Sequence, residues 1–284
     1  MKKISPEEIK ILSQYIYAIS GISLDDRKAY LIETRLRGII EKEGFASYAE
    51  LYYKAKAEPT KALERRIVNA VTTNETLFFR DSAPFEMFRH KIMPDLIDKR
   101  TEASSGLMPI GLRIWSAACS TGQEIYSLAI MLKELLPDLK KYNIRLLGTD
   151  ISDEAVAKAS YGKYNKFEIE RGLDEGVLRK YFNQNSNYWK IRDDIRAMVA
   201  FKKMNLMDPF IGIGRFDVIF CRNVAIYFNM EDRKRLFEKI ASVLEPDGYL
   251  IIGSTESLTG ICPMFEPQRH LRSVFYQLKS MMSC

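Results

Sequence analysis

The most constraining feature of this chain is the stretch from Leu112 to Asp150, LRIWSAACSTGQEIYSLAIMLKELLPDLKKYNIRLLGTD. It opens with a short apolar run, Ile114-Trp115-Ser116-Ala117-Ala118, and a turn of small residues, Cys119-Ser120-Thr121-Gly122. Apolar residues then recur at helical spacing: Ile125, Leu128, Ala129, Leu132, Leu135 and Leu136. Pro137 and Asp138 end that helix, and a second apolar run, Ile144 to Leu147, closes on Gly148-Thr149-Asp150. Strand, tight turn, helix, strand and terminal acid make the first half of a doubly wound α/β nucleotide site. Small residues let a ligand approach the backbone at the helix start. A carboxylate at the tip of the second strand accepts bonds from both hydroxyls of a ribose.

The turn departs from the dinucleotide pattern. Gly122 is its only glycine, where G-x-G-x-x-G wants three, and Gln123 and Glu124 stand at the helix start. An acid there suits the helix dipole but repels phosphate. A ribose-bearing ligand with a cationic or zwitterionic tail fits better than NAD, and S-adenosyl-L-methionine is such a ligand. A plain βαβ unit with Glu124 merely complementing its helix fits the same residues equally well. This stretch alone does not separate the two.

Composition excludes several classes. With 284 residues and 46% hydrophobic content, the chain can bury one large core or two small ones. A net charge of +6 suits an acidic partner but is too mild to choose among nucleic acid, anionic membrane and acidic protein. Cys119, Cys221, Cys262 and Cys284 are widely spaced, and His90 and His270 are the only histidines, so no zinc-ligand spacing exists. Free thiols in a reducing cytoplasm are expected. The opening Met-Lys-Lys leads into polar, helix-starting residues rather than an apolar signal segment. No apolar run approaches the ~18 residues of a membrane span.

Ser5-Pro6-Glu7-Glu8 reads as a capping box with proline at the first helical position. Helices are expected from there to Gly21, from about Asp25 to Glu43, from Ser47 to Ala57 and from Thr60 to Val71, an all-helical module without strand signals. On the second helix, Lys28, Arg35 and Lys42 recur at heptad spacing and form a basic stripe; a solvated helix face is its commonest meaning. Thr72 to Asp81, TTNETLFFRD, is a candidate interdomain hinge, followed by a helix over Pro84–Lys99 and a surface loop over Thr101–Gly111. After Asp150, Ser152 caps a further helix. Tyr188–Ile191 and Met198–Phe201, with Asp193-Asp194 between, read as a small antiparallel hairpin inserted over about residues 183–204. Phe216–Cys221 reads as a buried parallel strand, Asn229 as a helix cap, and Tyr249–Ile252 and Ser273–Leu278 as strands. The expected division is residues 1–73, a linker and helix over 74–110, and an α/β domain over 111–284.

In this order and spacing, TTNETLFFR, WSAACSTGQEIYSLA, LGTDIS, FDVIFCRNVAIYF and LEPDGYLIIGSTES resemble the CheR-type chemotaxis receptor methyltransferases over nearly the whole chain. The resemblance implies a Rossmann-like class I methyltransferase sheet with an inserted β subdomain, preceded by a helical domain that contacts the receptor. It implies S-adenosyl-L-methionine as methyl donor, S-adenosyl-L-homocysteine as product, and glutamate side chains on the cytoplasmic helical bundle of transmembrane chemoreceptors as substrate. Carried over residue by residue, Asn74, Thr76 and Arg80 would close over the methionine end of the cofactor. Glu124 would meet its amino-acid or sulfonium part, Asp150 its ribose, and Asn205 and Leu206 its adenine. Arg222 and Asn223 would line the floor near the methyl group. Family members that dock on a receptor's C-terminal tether carry a glycine-containing loop in the β subdomain. Here Asn183–Asn187 and Asp193-Asp194 occupy the turns, and no glycine lies between Gly176 and Gly212. Tether docking is therefore not expected, and the expected state is a monomer without membrane insertion. Ile125 stands where the family commonly has proline.

A glutamate side chain, with a reference pKa of ~4.3, is already the nucleophile at neutral pH, so no general base is required. Carboxylate and sulfonium neutralise each other at the transition state. Exclusion of water and alignment of oxygen, carbon and sulfur should supply most of the acceleration. Arg80 is expected to position the cofactor carboxylate and Tyr227 to orient the substrate carboxylate by one hydrogen bond. The stripe of Lys28, Arg35 and Lys42 would meet an acidic receptor bundle, and charge reversal at Arg35 should raise the receptor KM without changing cofactor affinity. Two other readings compete. A nucleic-acid methyltransferase of the same fold would want an N/D-P-P-Y/F or Pro-Cys motif where the chain reads CRNVAIYF. A non-catalytic module has no need of Asn74, Arg80, Glu124, Asp150 and Asn223 together.

Overall fold

Ser5 starts the first helix as its sequence demands. In the computed structural model, which describes residues 3–24, 29–103, 109–271 and 273–279, α1 (Pro6–Ser20) is closed by a reciprocal pair. The Ser5 N–H donates to the Glu8 carboxylate, and the Glu8 N–H donates to the Ser5 hydroxyl. Then come α2 (Ala29–Glu43), α3 (Tyr48–Ala57) and α4 (Ala62–Val71). Leu12, Ile16, Ile32, Leu36, Leu51 and Ile67 give this module its own core. Lys28 lies outside the described residues.

Over Pro84–Lys99 two helices replace the expected one, α5 (Ser82–Met87) and α6 (Met93–Ala103), joined by a π-helical turn at Phe88–Ile92. Pro94 explains it. Proline has no N–H for the His90 carbonyl and its ring crowds that carbonyl. The backbone widens just before it, so that the Met93 N–H reaches the Phe88 carbonyl.

The larger domain is a seven-stranded sheet. Its strands are β1 (Ile110–Ala117), β2 (Tyr142–Asp150), β6 (Val199–Lys203), β7 (Phe216–Cys221), β8 (Leu244–Ile252), β9 (Phe265–His270) and β10 (Ser273–Leu278), in spatial order β6-β2-β1-β7-β8-β10-β9. The first five in that order run parallel, and β10 lies antiparallel between β8 and β9. Alternate residues of the central strands face opposite cores. Ile114, Val218, Phe220 and Ile251 pack with α7 (Gln123–Leu135). Trp115, Ile219, Cys221 and Leu250 pack with α12 (Met230–Val243). Helices on both faces explain why these strands read as unbroken apolar runs. Strand order reverses between β1 and β7, and the carboxyl ends of β1, β2 and β7 converge there, where open α/β sheets bind ligands.

The inserted subdomain corrects the expected hairpin. After α8 (Asp153–Tyr161) come β3 (Lys163–Tyr164), α9 (Lys166–Glu170), α10 (Glu175–Tyr181), β4 (Phe182–Asn185), β5 (Tyr188–Ile191) and α11 (Asp193–Arg196). β5 pairs with β4 and β3 in a three-stranded antiparallel sheet. The insertion therefore ends before β6 rather than spanning residues 183–204. Asp193-Asp194 start a helical turn, and Val199–Lys203 joins the main sheet parallel to β2. Only one face of this edge strand is covered, with Phe201 against the Tyr126 ring at 5.5 Å. Its period-two pattern is thus the same as that of a hairpin arm.

The helical module docks where the strand ends converge. Tyr17 donates its hydroxyl to Asp232 at 2.6 Å and accepts from the Asn229 amide at 2.9 Å. The Asn205 amide donates to the Ile19 carbonyl at 3.2 Å, and the Ser23 N–H to the Tyr227 carbonyl at 2.9 Å.

Candidate active site

The turn after β1 keeps a glycine-loop path almost without glycine. Ala118, Ser120 and Gly122 take positive φ of 58°, 51° and 92° at alternate positions. For the two with a Cβ that conformation costs roughly 1–2 kcal/mol each, and such strain gathers at functional sites. The Ser120 N–H donates to one Asp150 carboxylate oxygen at 2.8 Å, and the Ser152 N–H to the other at 2.9 Å. Asp150 is buried at the tip of β2. Burial pushes its carboxyl above the ordinary aspartate value, against the opposing pull of these N–H donors. Each oxygen keeps lone-pair capacity for a ligand hydroxyl.

The floor comes from the end of β7. The Arg222 guanidinium, 1% exposed, donates to Glu124 at 2.8 Å, to Asp81 at 2.8 Å and to the Arg80 carbonyl at 2.9 Å. The second Glu124 oxygen accepts from the Ser116 hydroxyl at 2.8 Å. One arginine facing two carboxylates leaves the floor with negative charge. Next to it, Asn223 holds φ 57°. Its N–H and that of Gly253 both donate to one oxygen of Glu256, at 2.8 and 2.7 Å.

Residues 72–80 form a strap along the crevice. Phe78 is fully buried, edge-on to Tyr164 and Phe182 with centroids at 5.0 and 5.4 Å. The Phe79 N–H donates to the Ser127 hydroxyl at 3.0 Å. These anchors hold one end of the strap, while Arg80 folds back to donate to the Glu75 carbonyl at 3.2 Å.

Strap, turn and strand ends line a crevice that opens to solvent. It brings together Asn74, Thr76 and Arg80 from the strap, Glu124 and Asp150 from the first βαβ unit, Asn205 and Leu206 after β6, and Arg222, Asn223 and Tyr227 after β7. The basic stripe is not brought there. Lys42 is exposed on α2. Arg35 is not a solvated cation: its guanidinium donates to the Val71 and Thr72 carbonyls at 2.9 and 2.6 Å and to the Thr73 hydroxyl at 2.9 Å. Heptad spacing fixes the face of a helix but not its neighbours: the end of α4 lies beside Arg35, whereas Lys42 stays exposed.

Sequence reasoning placed Ser120 in the turn but not its bonds to Asp150 and Asn74, and it missed Asp81 and Glu256 as supports of the site. Their partners are distant in sequence or backbone atoms, so no spacing could signal them. Cys119 also lines the crevice, but burial pushes its thiol pKa well up, which removes it as a nucleophile. Among the described residues no group of three or more metal-ligating side chains gathers, and no helix is long and apolar enough to cross a membrane.

The donor set fits one ligand chemistry. A buried carboxylate at the tip of β2 suits a ribose, and an acid-rich floor suits a positive sulfur rather than phosphate. Sheet order and crevice together define an S-adenosylmethionine-dependent methyltransferase of class I architecture. Within that class, the chain belongs to the CheR methyltransferase family. Residues 74–272 match its SAM binding domain and residues 7–72 its all-alpha domain. The chain is similar to the chemotaxis protein methyltransferase Cher2 of Pseudomonas putida, at 36% identity over 91% of this chain and 93% of that protein. It is also similar to a chemotaxis protein methyltransferase of Vibrio parahaemolyticus, at 37% identity over 97% of this chain and 98% of that one.

Proposed function

We propose that this enzyme transfers a methyl group from S-adenosyl-L-methionine to glutamate side chains of chemoreceptors, forming glutamyl methyl esters in chemotaxis. The reading is supported by its family, by relatives named as chemotaxis protein methyltransferases, and above all by a crevice whose buried arginine is outnumbered by carboxylates. Neither the nucleic-acid reading nor the non-catalytic one gains a supporting observation.

When bound, the cofactor would supply a methyl group on a positive sulfur for the glutamate oxygen, with S-adenosyl-L-homocysteine as the product. The chain's own residues orient and desolvate. Asp150 accepts the ribose hydroxyls. Leu206, buried after β6, packs on the adenine, and Asn205 fixes the turn that carries it by accepting from the Met207 N–H at 2.9 Å. Asn74, Thr76 and Arg80 would cover the methionine end, with Arg80 as the cation for its carboxylate. Glu124 acts through charge on the sulfonium: its oxygens accept one bond each, from Ser116 and Arg222, and each keeps lone-pair capacity for a donor at the methionine end. Tyr227, half-buried on the 3-10 turn Ala225–Tyr227, orients the incoming carboxylate. A single hydrogen bond there aligns the nucleophile without blunting it.

The receptor bundle meets the exposed side of α2, where Lys42 supplies cationic charge. The short Ser186-Asn187 turn between β4 and β5 lacks glycine, which argues against docking of a receptor tether. The enzyme works as a monomer in the cytoplasm, beside the membrane rather than in it. Titration calorimetry with S-adenosyl-L-homocysteine tests the site. Asp150→Ala should weaken binding by roughly 1–3 kcal/mol, as ribose hydroxyls lose their acceptor. Unchanged affinity would remove Asp150 from the site.

A further inference from the structure

Arg35 has an arrangement that a docking cation does not need. Its Nη1 donates to the carbonyls of Ala70, Val71 and Thr72 at 3.4, 2.9 and 2.6 Å, and its Nη2 to the Thr73 hydroxyl at 2.9 Å. Ala70 and Val71 end α4, where carbonyls lack intrahelical partners and a cation is favoured by the helix dipole. Thr72 and Thr73 begin the strap. Two residues beyond Thr72, the Asn74 carbonyl accepts from the Ser120 hydroxyl at 2.9 Å, and the Ser120 N–H donates to Asp150 at 2.8 Å. These hydrogen bonds, joined through the backbone of Thr72–Asn74 and through Ser120, thus link α2 of the helical module to the carboxylate at the tip of β2. Arg35 itself is not among the residues lining the cofactor crevice, whereas Val71, Thr72, Thr73 and Asn74 are.

We infer that Arg35 is a positioning residue for the cofactor: its forked guanidinium fixes the entry of the strap, and through it the placement of Asn74 and Thr76 over the crevice. The inference rests on the reading of that crevice as the cofactor site. The fork is what matters, because four acceptors in an arc are met by the planar, multiply donating guanidinium. A lysine ammonium carries the same charge but converges on a point.

The test uses the full chain without receptor. Binding of S-adenosyl-L-homocysteine is measured by calorimetry for wild type, Arg35→Lys and Arg35→Ala, alongside melting of the unliganded proteins. Receptor KM is then measured at saturating cofactor. Both variants should bind the product roughly tenfold more weakly, with lysine restoring little, and receptor KM should not move. Should the alanine variant not fold, Arg35→Lys carries the test together with Thr73→Val, which removes one acceptor and should weaken binding roughly two- to fivefold. Full affinity in Arg35→Lys would overturn the inference, as would unchanged affinity in all variants with either a lowered melting temperature or a raised receptor KM. Asp150→Ala in the same assay separates the two claims. If it alone loses affinity, only the role of Arg35 fails; if it keeps wild-type affinity, the crevice reading fails.

Discussion

Ser120 donates its hydroxyl to the Asn74 carbonyl at 2.9 Å, so the turn after β1 is tied to the strap that crosses from the helical module. The same residue presents its N–H to Asp150 from a left-handed backbone at φ 51°. One residue therefore joins both walls of the crevice, and it does so in a conformation that favours glycine.

Two substitutions separate these roles. Ser120→Ala and Ser120→Gly both lose the bond to Asn74, and each should weaken binding of S-adenosyl-L-homocysteine by about 1 kcal/mol. Glycine alone relieves the backbone strain, so the unliganded Ser120→Gly protein should be about 1 kcal/mol more stable than Ser120→Ala. Calorimetry and urea unfolding read the two effects separately. Lower stability of Ser120→Gly than of Ser120→Ala would show that any strain is smaller than the roughly 0.4–1 kcal/mol of chain entropy that glycine adds to the unfolded state.

Arg222 should be structurally indispensable. Arg222→Met leaves Glu124, only 12% exposed, without its countercharge, whereas Asp81 at 44% still reaches water. The loss should be about 3 kcal/mol, the low end for a broken buried pair because one partner stays hydrated. Arg222→Lys, which keeps the charge, should lose distinctly less. Urea unfolding of both variants checks the order.

Cofactor affinity should carry the signature of Asp150. Burial, opposed by backbone donors, leaves its carboxyl above the ordinary aspartate value. With a raised pKa, this group favours folding below the unfolded value, and that contribution is lost as pH rises through the folded value. In its ionised form this buried acid is an acceptor that ribose hydroxyls would satisfy. Affinity for S-adenosyl-L-homocysteine should fall on acidification, starting at a higher pH than an ordinary aspartate would cause. Calorimetry from neutral into the acid range reads this, and a flat profile would contradict it.

Gly21 should be needed for docking of the helical module. It ends α1 at φ 75°, and a Cβ there would lie 2.5 Å from Cγ of Met207. Gly21→Ala should destabilise by roughly 2 kcal/mol, combining backbone strain with overpacking. Since Ser20 and Ile22 line the crevice, cofactor affinity should drop as well. Thermal melting and calorimetry together check it.

What the sequence disclosed depended on how local each signal was. β1, its turn, α7 and the acid at the tip of β2 lie within one stretch, and their periodicities change at the element boundaries. The capping box at Ser5 and the caps at Ser152 and Asn229 are equally local, and each forms. β6 was misread because a half-covered edge strand and a hairpin arm share the same alternation. β9 gave no signal at all: Pro267, Glu266 and Arg269 suit an edge that must not pair further. Within the site, Asp150 was readable from its place after an apolar run. The engagement of Glu124 by Arg222 and of Arg35 by the strap was not, because each depends on what another element lays across it.

The central claim is that a side-chain carboxylate receives the methyl group, and its most direct test is methyl transfer from labelled S-adenosyl-L-methionine to receptor-containing membranes. The account predicts label on the receptors that mild alkali releases as volatile methanol, the behaviour of an ester. Alkali-stable label, or label that follows nucleic acid, would contradict it.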